Sequence, residues 1–366
     1  MKKNGPTRRR ALEGFASIFA ASPLVAQEPT LIGEPPGRIT PRADLANVLE
    51  VEGAAQRKLA PSVYSRIAGG DRSFFDKITF RPRMMVNTTE LDLSVNVFGE
   101  KIFAPILVAP VSRQQTFHPE GELAMVRGAA AARTLVVVSS DSSYPIENIA
   151  AEAKTTLWYQ VFPEADVNAV RGRAQQAVRA GCKAICLTVG APYRNIGTAL
   201  SPAQLASVSN PPLSWNMIDK IRQGLGVPVL LKGIMTAEEA NEAVKRGIEG
   251  IVVSNYGGLL HNGFASPMEM LPAIIDAVAG KVPVLIDGGF RRGSDVMKAL
   301  AFGARAVLVG RPALWGLAAY GADGVQSVFE MLQAELGRCA TQCGKANVKA
   351  IDRSVVKVHM ERETRP

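Results

Sequence analysis

Two glycine- and arginine-rich stretches in the C-terminal third of the chain have the residue types of a phosphate site. Residues Asp287–Gly293 read DGGFRRG, and Gly310-Arg311-Pro312 follow after one more apolar run. Glycines let backbone N–H groups approach a phosphate, and a helix that starts there directs its positive end at it. Arg291 or Arg311 can add charge-assisted hydrogen bonds. We expect a phosphate ligand here, with two tight strand-to-helix turns as the alternative.

The elements that must position these stretches are eight short apolar runs, each followed by a turn. Runs that are rich in β-branched residues and lack polar alternation are typical of parallel strands buried on both faces. The runs are Pro105–Pro110, Thr134–Ser139, Thr156–Phe162, Ala184–Val189, Pro228–Lys232, Gly250–Ser254, Pro283–Asp287 and Ala306–Gly310.

Amphipathic stretches between the runs complete a repeating β/α pattern. Ser214 and Thr236 can cap the helices that follow them. Eight β/α units in succession predict an α/β protein built as a closed (β/α)8 TIM barrel, rather than an open doubly wound sheet. The predicted helices include Glu120–Arg133, Asp166–Ala180, Thr236–Arg246 and Arg292–Phe302.

Polar residues stand at the ends of most of these runs. The chemistry of such barrels is found at the carboxyl ends of their strands, where the following loops meet at one mouth. One polar residue at a strand end is unremarkable, but a donor or a charge after nearly every strand predicts a site. The residues are Ser139, Gln160, Thr188, Lys232, Ser254, Asp287 and Arg311.

The chain of 366 residues is long enough for one barrel with an N-terminal helical extension, or for two smaller domains. We assign residues 1–26 to a signal peptide, 27–104 to an extension that packs on the barrel, 105–345 to the barrel and 346–366 to a C-terminal tail. No apolar run reaches the about 20 residues that a membrane-spanning helix needs.

The N-terminus has the pattern of an export signal. Thr7–Leu12 place paired arginines before a modest apolar stretch, Phe15–Ala26, as in twin-arginine signals. We therefore expect export to the periplasm, with cleavage after Ala26. The alternative is a disordered basic tail on a cytoplasmic protein.

The net charge of +9 is concentrated at the two ends of the chain. Residues 1–26 hold five cations against one anion, and residues 345–366 hold six cations against three anions, which leaves the body close to neutral. The body has no basic stripe with interleaved aromatic residues of the kind that binds single-stranded nucleic acid. We expect no nucleic-acid partner.

The four cysteines predict neither a disulfide framework nor a metal site. Cys182 and Cys186 lie in or beside one apolar run, where about 13 Å separates residues four apart in a strand. Cys339 and Cys343 lie one turn apart on a predicted helix, and the chain has only three histidines to add as ligands. We expect buried, unreactive thiols.

With these features in place, the sequence resembles the FMN-dependent α-hydroxy acid dehydrogenase and oxidase family. The resemblance runs from about Leu45 to Ile351. Its markers are Phe80-Arg81-Pro82-Arg83, His118-Pro119-Glu120-Gly121-Glu122, Leu231-Lys232-Gly233, Ser254-Asn255 with Gly257-Gly258, and the DGGFRRG stretch.

The cofactor side of the family site is present. The resemblance implies FMN, with Lys232 at flavin N1 stabilising negative charge, and Gln160 and Thr188 at the pyrimidine edge. An ordinary snorkelling lysine is the alternative for Lys232. The residues implied to bind FMN are Pro110, Val111, Ser112, Ser139, Gln160, Thr188, Lys232, Ser254, Asp287, Gly288, Gly289, Arg291, Gly310 and Arg311.

The substrate side departs from the family. Tyr256 stands where the family has its catalytic histidine, Leu259 where it has the carboxylate-binding arginine, and Gly190 where it has the aspartate that orients the histidine. Phe162 and Arg66 replace two family tyrosines, and a family segment is missing between the positions of Gly70 and Ser73. Losing a histidine base together with its orienting carboxylate removes one functional unit.

The catalytic candidates are accordingly Lys232, Tyr256 and His261. A tyrosine hydroxyl titrates near about 10 and is a poor base at neutral pH, whereas His261 lies in the same loop five residues after Tyr256. The alternative for His261 is a solvent-facing loop residue. Arg66 is a candidate for the missing positive charge, and His118, at the start of a helix, is expected to be structural.

Three functions follow from this resemblance. The first is an FMN-dependent oxidoreductase that passes hydride from a CH–OH or CH–NH group to flavin N5, on a small molecule other than a simple 2-hydroxy acid. The second is a genuine 2-hydroxy acid dehydrogenase with a rearranged pocket, and the third is a flavin-binding sensor or scaffold. The electron acceptor stays open, and the family implies a homo-tetramer or octamer. A barrel of the IMP dehydrogenase type is disfavoured because no cysteine loop is present.

Overall fold

The computed structural model describes residues 39–189, 214–256 and 265–359. Residues 41–366 form one compact unit, and residues 1–40 form another of which only the last two are described. His261, Leu259 and Gly190, together with the predicted signal peptide, lie outside the described residues. Among the helices that are described, none is long and apolar enough to cross a bilayer.

The segment before the barrel contains short helices and three short strands. Asn47 begins the first helix by accepting hydrogen bonds from the N–H groups of Leu49 and Glu50. Trp315 and Lys298, from helices of the barrel, donate hydrogen bonds to Ile67 O and Phe75 O of this segment. Its elements are α1 (Val48–Lys58), α2 (Pro61–Tyr64), α3 (Ser73–Asp76), β1 (Ile78–Phe80), β2 (Val95–Val97) and β3 (Glu100–Ile102).

Eight parallel strands then close into a barrel, in the order β10-β11-β4-β5-β6-β7-β8-β9. These strands are β4 (Ile106–Val108), β5 (Val136–Ser139), β6 (Leu157–Val161), β7 (Ile185–Thr188), β8 (Val229–Ile234), β9 (Gly250–Val253), β10 (Val284–Asp287) and β11 (Ala306–Val309). The predicted (β/α)8 barrel is confirmed, and each strand lies within the apolar run that predicted it or, for β8, extends two residues past it.

Helices on the outside of the barrel begin and end close to the predicted positions. Ser214 and Thr236 cap their helices as expected, accepting hydrogen bonds from Met217 N and Glu239 N at 3.3 and 3.2 Å. The helices are α4 (Gly121–Ala131), α5 (Ile146–Glu152), α6 (Val167–Arg179), α7 (Trp215–Arg222), α8 (Ala237–Lys245), α9 (Pro267–Val278), α10 (Gly293–Phe302) and α11 (Arg311–Gln342).

The hairpin β2–β3 closes the amino-terminal end of the barrel. Its residues Val95, Val97 and Ile102 belong to one apolar cluster with interior residues of the strands, among them Leu230. Phe98 at the hairpin turn packs on Trp158, with their ring centroids 5.5 Å apart. Because this end is filled by side chains, the opposite mouth is left for chemistry.

The C-terminal segment is built into the structure as far as it is described. Residues 346–366 were assigned to a tail, but Val356–Val358 form strand β12, which pairs antiparallel with β1. Val355 and Val356 are buried, and that apolar area stabilises the pairing. The segment therefore ties the chain end to the elements before the barrel.

Two glycines in helices give a test of the packing. Gly128 of α4 lies against α11, and a Cβ at this position meets the Ala322 carbonyl oxygen at 2.2 Å. Gly172 of α6 is exposed and has nothing within 4 Å of that position. We expect Gly128→Ala to lower the free energy of unfolding by about 1–3 kcal/mol, as overpacking does. Gly172→Ala should raise it by about 1 kcal/mol, because alanine favours helix. Denaturant unfolding of both variants checks this pair, and a stabilised Gly128→Ala protein contradicts the packing.

Candidate active site

The polar residues predicted at the strand ends are brought together at the mouth of the barrel. Neighbouring strands place them side by side, so that Ser139 is paired in register with Gln160, and Thr188 with Lys232. They are buried although they are polar, which requires partners within the protein or from a ligand. The buried members are Ser139, Gln160, Thr188, Lys232, Ser254 and Asp287.

Lys232 is the charged centre of this mouth. Its Nζ lies 2.7 Å from Asp287 Oδ2 and donates a hydrogen bond to Ser254 Oγ at 2.7 Å. The pairing of β8 with β9 shifts register between Lys232 and Ile234, at Gly233 with its φ of 110°. Desolvation makes a buried ion pair costly unless it has good partners, so this pair indicates a functional arrangement rather than a stabilising one.

Three polar atoms at the mouth have no hydrogen-bond partner among the described residues. They are Gln160 Nε2, Thr188 Oγ1 and Asp287 Oδ1. Ser139 Oγ already donates to Gln160 Oε1 at 3.1 Å, which leaves the amide nitrogen of Gln160 as the remaining donor. An unsatisfied buried polar group costs about 1–3 kcal/mol. A ligand edge that carries both donors and acceptors satisfies these atoms.

The phosphate stretches contain two arginines that lie close to each other, Arg291, which is buried, and Arg311, which is half-buried. Arg291 Nη2 donates to Gly69 O at 2.7 Å, and its guanidinium stacks 4.5 Å from the centre of the Trp315 ring. Burial, and next the positive charge of Arg311, lower the pKa of Arg291 to about 10. Burial also lowers the pKa of Arg311. Two desolvated like charges disfavour each other, and a bound phosphate dianion offsets that cost.

Glycine is required where the phosphate loop turns. Gly288 and Gly289 have φ values of 101° and 78°, in the left-handed region that side chains rarely adopt. Asp295 Oδ2 then accepts hydrogen bonds from Arg291 N and Arg292 N, both at 2.9 Å, so the loop leads directly into α10. The positive end of α10 therefore lies beside the two arginines, as the sequence predicted.

Tyr256 is held in an unusual conformation at the end of β9. Its φ is 58°, a strained value for a large side chain. The hydroxyl donates to Val189 O at 2.9 Å, and Lys232 Nζ lies 5.2 Å from the centre of the ring. The Tyr256 side chain therefore connects the end of β9 to the residue that follows β7, and its ring lies close to the Lys232 ammonium group.

The other predicted residues fall into two groups. Pro110, Val111 and Ser112 follow β4, half-buried, and Ser112 Oγ lies 3.4 Å from Ser139 Oγ, so this segment belongs to the mouth. Arg66 is exposed, and its side chain has no hydrogen bond or ion pair among the residues described. Its predicted role as a replacement cation thus has no contact to support it.

His118 is structural, as expected. Its ring packs against Gly321, where α11 is kinked, and its Nδ1 accepts a hydrogen bond from Glu120 N at 3.2 Å. Burial lowers the pKa of His118. The cysteines match the prediction too: Cys182, Cys186 and Cys343 are buried and Cys339 is half-buried. No cluster of metal ligands is found in the described parts of the chain.

Several residues around the phosphate loop were missed from the sequence. Trp315, Arg72 and Asp295 contact the loop or its arginines, yet none lies in a stretch that the sequence analysis assigned to a site. Asp295 carried a weak signal, because an acid three residues after a helix start is a capping pattern. The sequence gives no signal for Arg72, because its partner Asp295 lies 223 residues away.

The geometry of the mouth defines a class of protein. A (β/α)8 barrel has at its mouth a buried lysine, orphaned amide and hydroxyl groups, and two desolvated arginines at a glycine-rich helix start. Such a set fits a phosphorylated cofactor whose ring has donors and acceptors along one edge. The residues present therefore fit FMN.

Comparisons with known proteins identify the family within that class. A family model described as FMN-dependent dehydrogenase matches residues 66–199 and 193–358. L-lactate oxidase of Nostoc sp. is 35% identical over 353 residues, covering 84% of this chain and 97% of that protein. Glycolate oxidase of Spinacia oleracea is 34% identical over 351 residues, covering 85% and 95%.

Solved structures agree with the sequence relatives. A crystal structure of mandelate oxidase with (S)-2-phenylpropionate has a TM-score of 0.79 and 35% identity, and the match covers 86% of this chain and 99% of that one. The chain belongs to the FMN-dependent dehydrogenase family. It is an oxidoreductase, and its cofactor is FMN.

Proposed function

We propose that this chain is an FMN-dependent oxidoreductase acting on a CH–OH or CH–NH group of a substrate other than a simple 2-hydroxy acid. An amine, an amino acid derivative or a larger alcohol is the class of substrate we favour. The observation that carries the proposal is the hydrogen bond from the Tyr256 hydroxyl to Val189 O at 2.9 Å, at the position of the family base.

The first support concerns the proton that must leave the substrate. A general base must point a free lone pair at that proton and hold its own proton weakly. Tyr256 instead directs its hydroxyl hydrogen at a backbone carbonyl, and its ring faces Lys232. This tyrosine therefore fixes the β9 loop and shapes the mouth, and it does not replace the missing histidine.

The second support concerns recognition of a carboxylate. The family arginine is Leu259 in this sequence, and the tyrosine on the third barrel strand is Phe162, which has no hydroxyl. Lys232 is already paired with Asp287, and Arg66 is exposed. Among the described residues of the mouth, a carboxylate would lack the bidentate partner that arginine provides in such sites. A neutral or cationic substrate fits this mouth better.

The roles of the remaining residues follow from their positions. When bound, FMN supplies the two-electron oxidant. Lys232 holds a fixed positive charge at the mouth, where its hydrogen bond to Ser254 and its ion pair with Asp287 orient the ammonium group. Gln160 and Thr188 have unpaired polar atoms that can form hydrogen bonds with the edge of the flavin ring. Arg291 and Arg311 bind the phosphate.

Anaerobic titration of the FMN-loaded protein tests the proposal directly. Flavin absorbance is followed while 2-hydroxy acids, amines, amino acids and larger alcohols are added in turn. We expect bleaching by a member of the amine, amino acid or alcohol sets and none by L-lactate or glycolate. Bleaching by these two acids at ordinary concentrations overturns the proposal.

Two second candidates have specific support. A genuine 2-hydroxy acid dehydrogenase with a rearranged pocket is favoured by the relatives that act on such acids, since L-lactate oxidase is 35% and glycolate oxidase 34% identical to this chain. A flavin-binding sensor without turnover is favoured by the missing base. The same titration separates them, because the former predicts bleaching by lactate or glycolate and the latter predicts none by any compound.

A matched pair of variants locates the base. His261 lies outside the described residues, and its role stays the prediction made from the sequence. We expect His261→Ala to abolish substrate-driven bleaching without release of FMN. Tyr256→Phe should retain bleaching, because it removes the hydroxyl that donates to Val189 O and keeps the aromatic ring. Stopped-flow reduction of both loaded variants provides the measurement, and the reverse pattern assigns the base to Tyr256.

The cellular setting is also part of the proposal. A twin-arginine signal exports folded proteins, which suits a chain that must load FMN before export. We propose a periplasmic homo-tetramer or octamer that passes electrons to an acceptor still to be identified. Fractionation of cells expressing the full chain, with Arg8 and Arg9 changed to lysine as the control, tests the location. Light scattering of the purified protein tests the assembly.

A further inference from the structure

Residues 67–75, which we call the clasp, cross the phosphate loop from outside the barrel. Three barrel side chains donate hydrogen bonds to clasp carbonyls: Trp315 Nε1 to Ile67 O at 3.1 Å, Arg291 Nη2 to Gly69 O at 2.7 Å, and Lys298 Nζ to Phe75 O at 2.7 Å. One of these donors is itself a predicted phosphate ligand. The clasp is therefore bonded to the machinery that holds the cofactor.

The contact is close enough that neither side can shift independently. A Cβ at Gly70 meets Arg311 Nη1 at 2.7 Å and Arg291 Nη2 at 3.0 Å. From the other side, a Cβ at Gly289 meets Asp71 O at 2.5 Å and the Phe75 ring at 2.8 Å. Glycine on both surfaces lets the clasp backbone lie against both arginines and against the phosphate loop.

Arg72 makes the strongest connection between the clasp and the loop. Its Nη1 lies 2.8 Å from Asp295 Oδ2 and its Nη2 lies 3.2 Å from Asp295 Oδ1, a two-bond pairing of the kind arginine favours with carboxylates. Nη1 also donates to Gly289 O. The Asp295 side chain is 2% exposed, so Arg72 supplies the countercharge of a buried carboxylate.

Asp295 connects Arg72 to the backbone of the phosphate loop. It accepts hydrogen bonds from Arg291 N and Arg292 N, and thereby sets the backbone from which the Arg291 side chain extends. Without Arg72 the carboxylate keeps its two backbone bonds but loses its countercharge, and Gly289 O loses its donor. A buried charge without a partner is strongly disfavoured, so the loop is expected to relax.

We propose that the clasp holds the phosphate cradle in its binding shape, and that Arg72 is the positioning residue through which it retains FMN. In this sequence the clasp contains the position between Gly70 and Ser73 where a segment of the family pattern is missing. The inference depends on FMN binding alone and is independent of the substrate proposed above.

The test compares FMN with riboflavin, which has the same ring but no phosphate. In Arg72→Met holoprotein, release of FMN into dilute solution, followed by the return of flavin fluorescence, should be faster by about 10-fold or more. The affinity of the apoprotein for riboflavin should stay at the wild-type value. A purely structural role for Arg72 predicts instead that both affinities fall together.

Two further variants serve as controls. Arg353→Met removes an arginine that also makes two bonds to a carboxylate, with Asp276 at 2.5 and 3.4 Å, but on the exposed surface. It should release FMN at the wild-type rate. Arg72→Lys keeps the charge without the planar fork and should fall between wild type and Arg72→Met.

The outcomes are decisive in both directions. Faster FMN release with unchanged riboflavin affinity supports the clasp. Wild-type release from Arg72→Met, or equal losses for FMN and riboflavin, overturns it. If Arg72→Met does not fold, the same comparison is made with Arg72→Lys, and wild-type FMN release from that variant overturns the proposal.

Discussion

Replacing Lys232 with methionine is expected to slow substrate-driven bleaching of the flavin by about 10²–10³-fold, the loss that follows removal of one preorganised charge-stabilising donor. Lys232 is 5% exposed, and its ammonium group is held by Asp287 and Ser254 at 2.7 Å each. A cation fixed in this way needs no reorganisation when negative charge develops beside it. Methionine has a similar length and volume but no charge.

The effect on stability must be separated from the effect on the reaction. Removing the lysine leaves Asp287 as a buried charge without its partner, which costs about 3–5 kcal/mol in such pairs. The double variant Lys232→Met with Asp287→Asn removes both charges and should recover most of that loss. Thermal unfolding measures the recovery, and stopped-flow absorbance measures the bleaching.

The two measurements should diverge in the double variant. We expect stability to return while bleaching stays slow, since neutralising Asp287 does not bring back a positive charge. Bleaching at the wild-type rate in the single variant would show that Lys232 is a structural lysine. That result would also remove the main catalytic group that the resemblance assigns to this chain.

The barrel could be predicted from the sequence because its signal is local. Each strand is a short apolar run buried on both faces, and each is followed by a turn, so the pattern repeats without reference to distant residues. Boundaries differ by one or two residues where strand ends leave the core, as at Ile234, which extends β8 beyond the predicted Lys232. Helix boundaries vary by similar amounts for the same reason.

The cofactor side could be predicted because the fold itself gathers it. Parallel strands bring their carboxyl ends to one mouth, so residues far apart in sequence, such as Lys232 and Asp287, meet there without any pairing signal. Glycines in Asp287–Gly293 carried information about backbone conformation, which the φ values of Gly288 and Gly289 bear out.

Contacts between the barrel and the segments around it could not be predicted in this way. The bonds from Arg72 to Asp295 and from Trp315 to Ile67 join residues 223 and 248 positions apart. The pairing of β12 with β1 joins residues that are still further apart in sequence, such as Ile78 and Val358, and a strand of three residues is too short to show a periodic pattern. In each case tertiary packing, rather than local pattern, selects the contact.

Restoring the family residues is expected to give this chain activity on simple 2-hydroxy acids. The triple variant Gly190→Asp, Tyr256→His and Leu259→Arg supplies a base, a carboxylate to orient it and a cation for the substrate carboxylate. A positioned general base contributes about 10²–10⁴-fold to such a step. We expect bleaching of the triple variant by glycolate or L-lactate, at concentrations that leave the wild-type flavin oxidised.

The geometry of the described residues supports the design. The Tyr256 hydroxyl already reaches Val189 O at 2.9 Å. Residue 190 directly follows Val189 in the chain. A side chain at 256 is thus directed toward the strand end where the aspartate would be introduced. The flavin spectrum and the thermal unfolding temperature confirm that each variant folds and keeps FMN.

Tyr256→His alone is the informative control, and it should gain nothing measurable. An imidazole without an orienting carboxylate is free to take the wrong tautomer, and without the arginine the substrate is not held against it. The effects of substitutions on the rate are strongly non-additive when the residues act as a unit. Bleaching by the 2-hydroxy acids should therefore appear only when all three substitutions are present. A gain from the single variant would show that another residue of this mouth already performs the orienting role.

A triple variant that binds FMN and still fails would place the specificity of this chain in residues beyond the family set, with Phe162 as the next position to change.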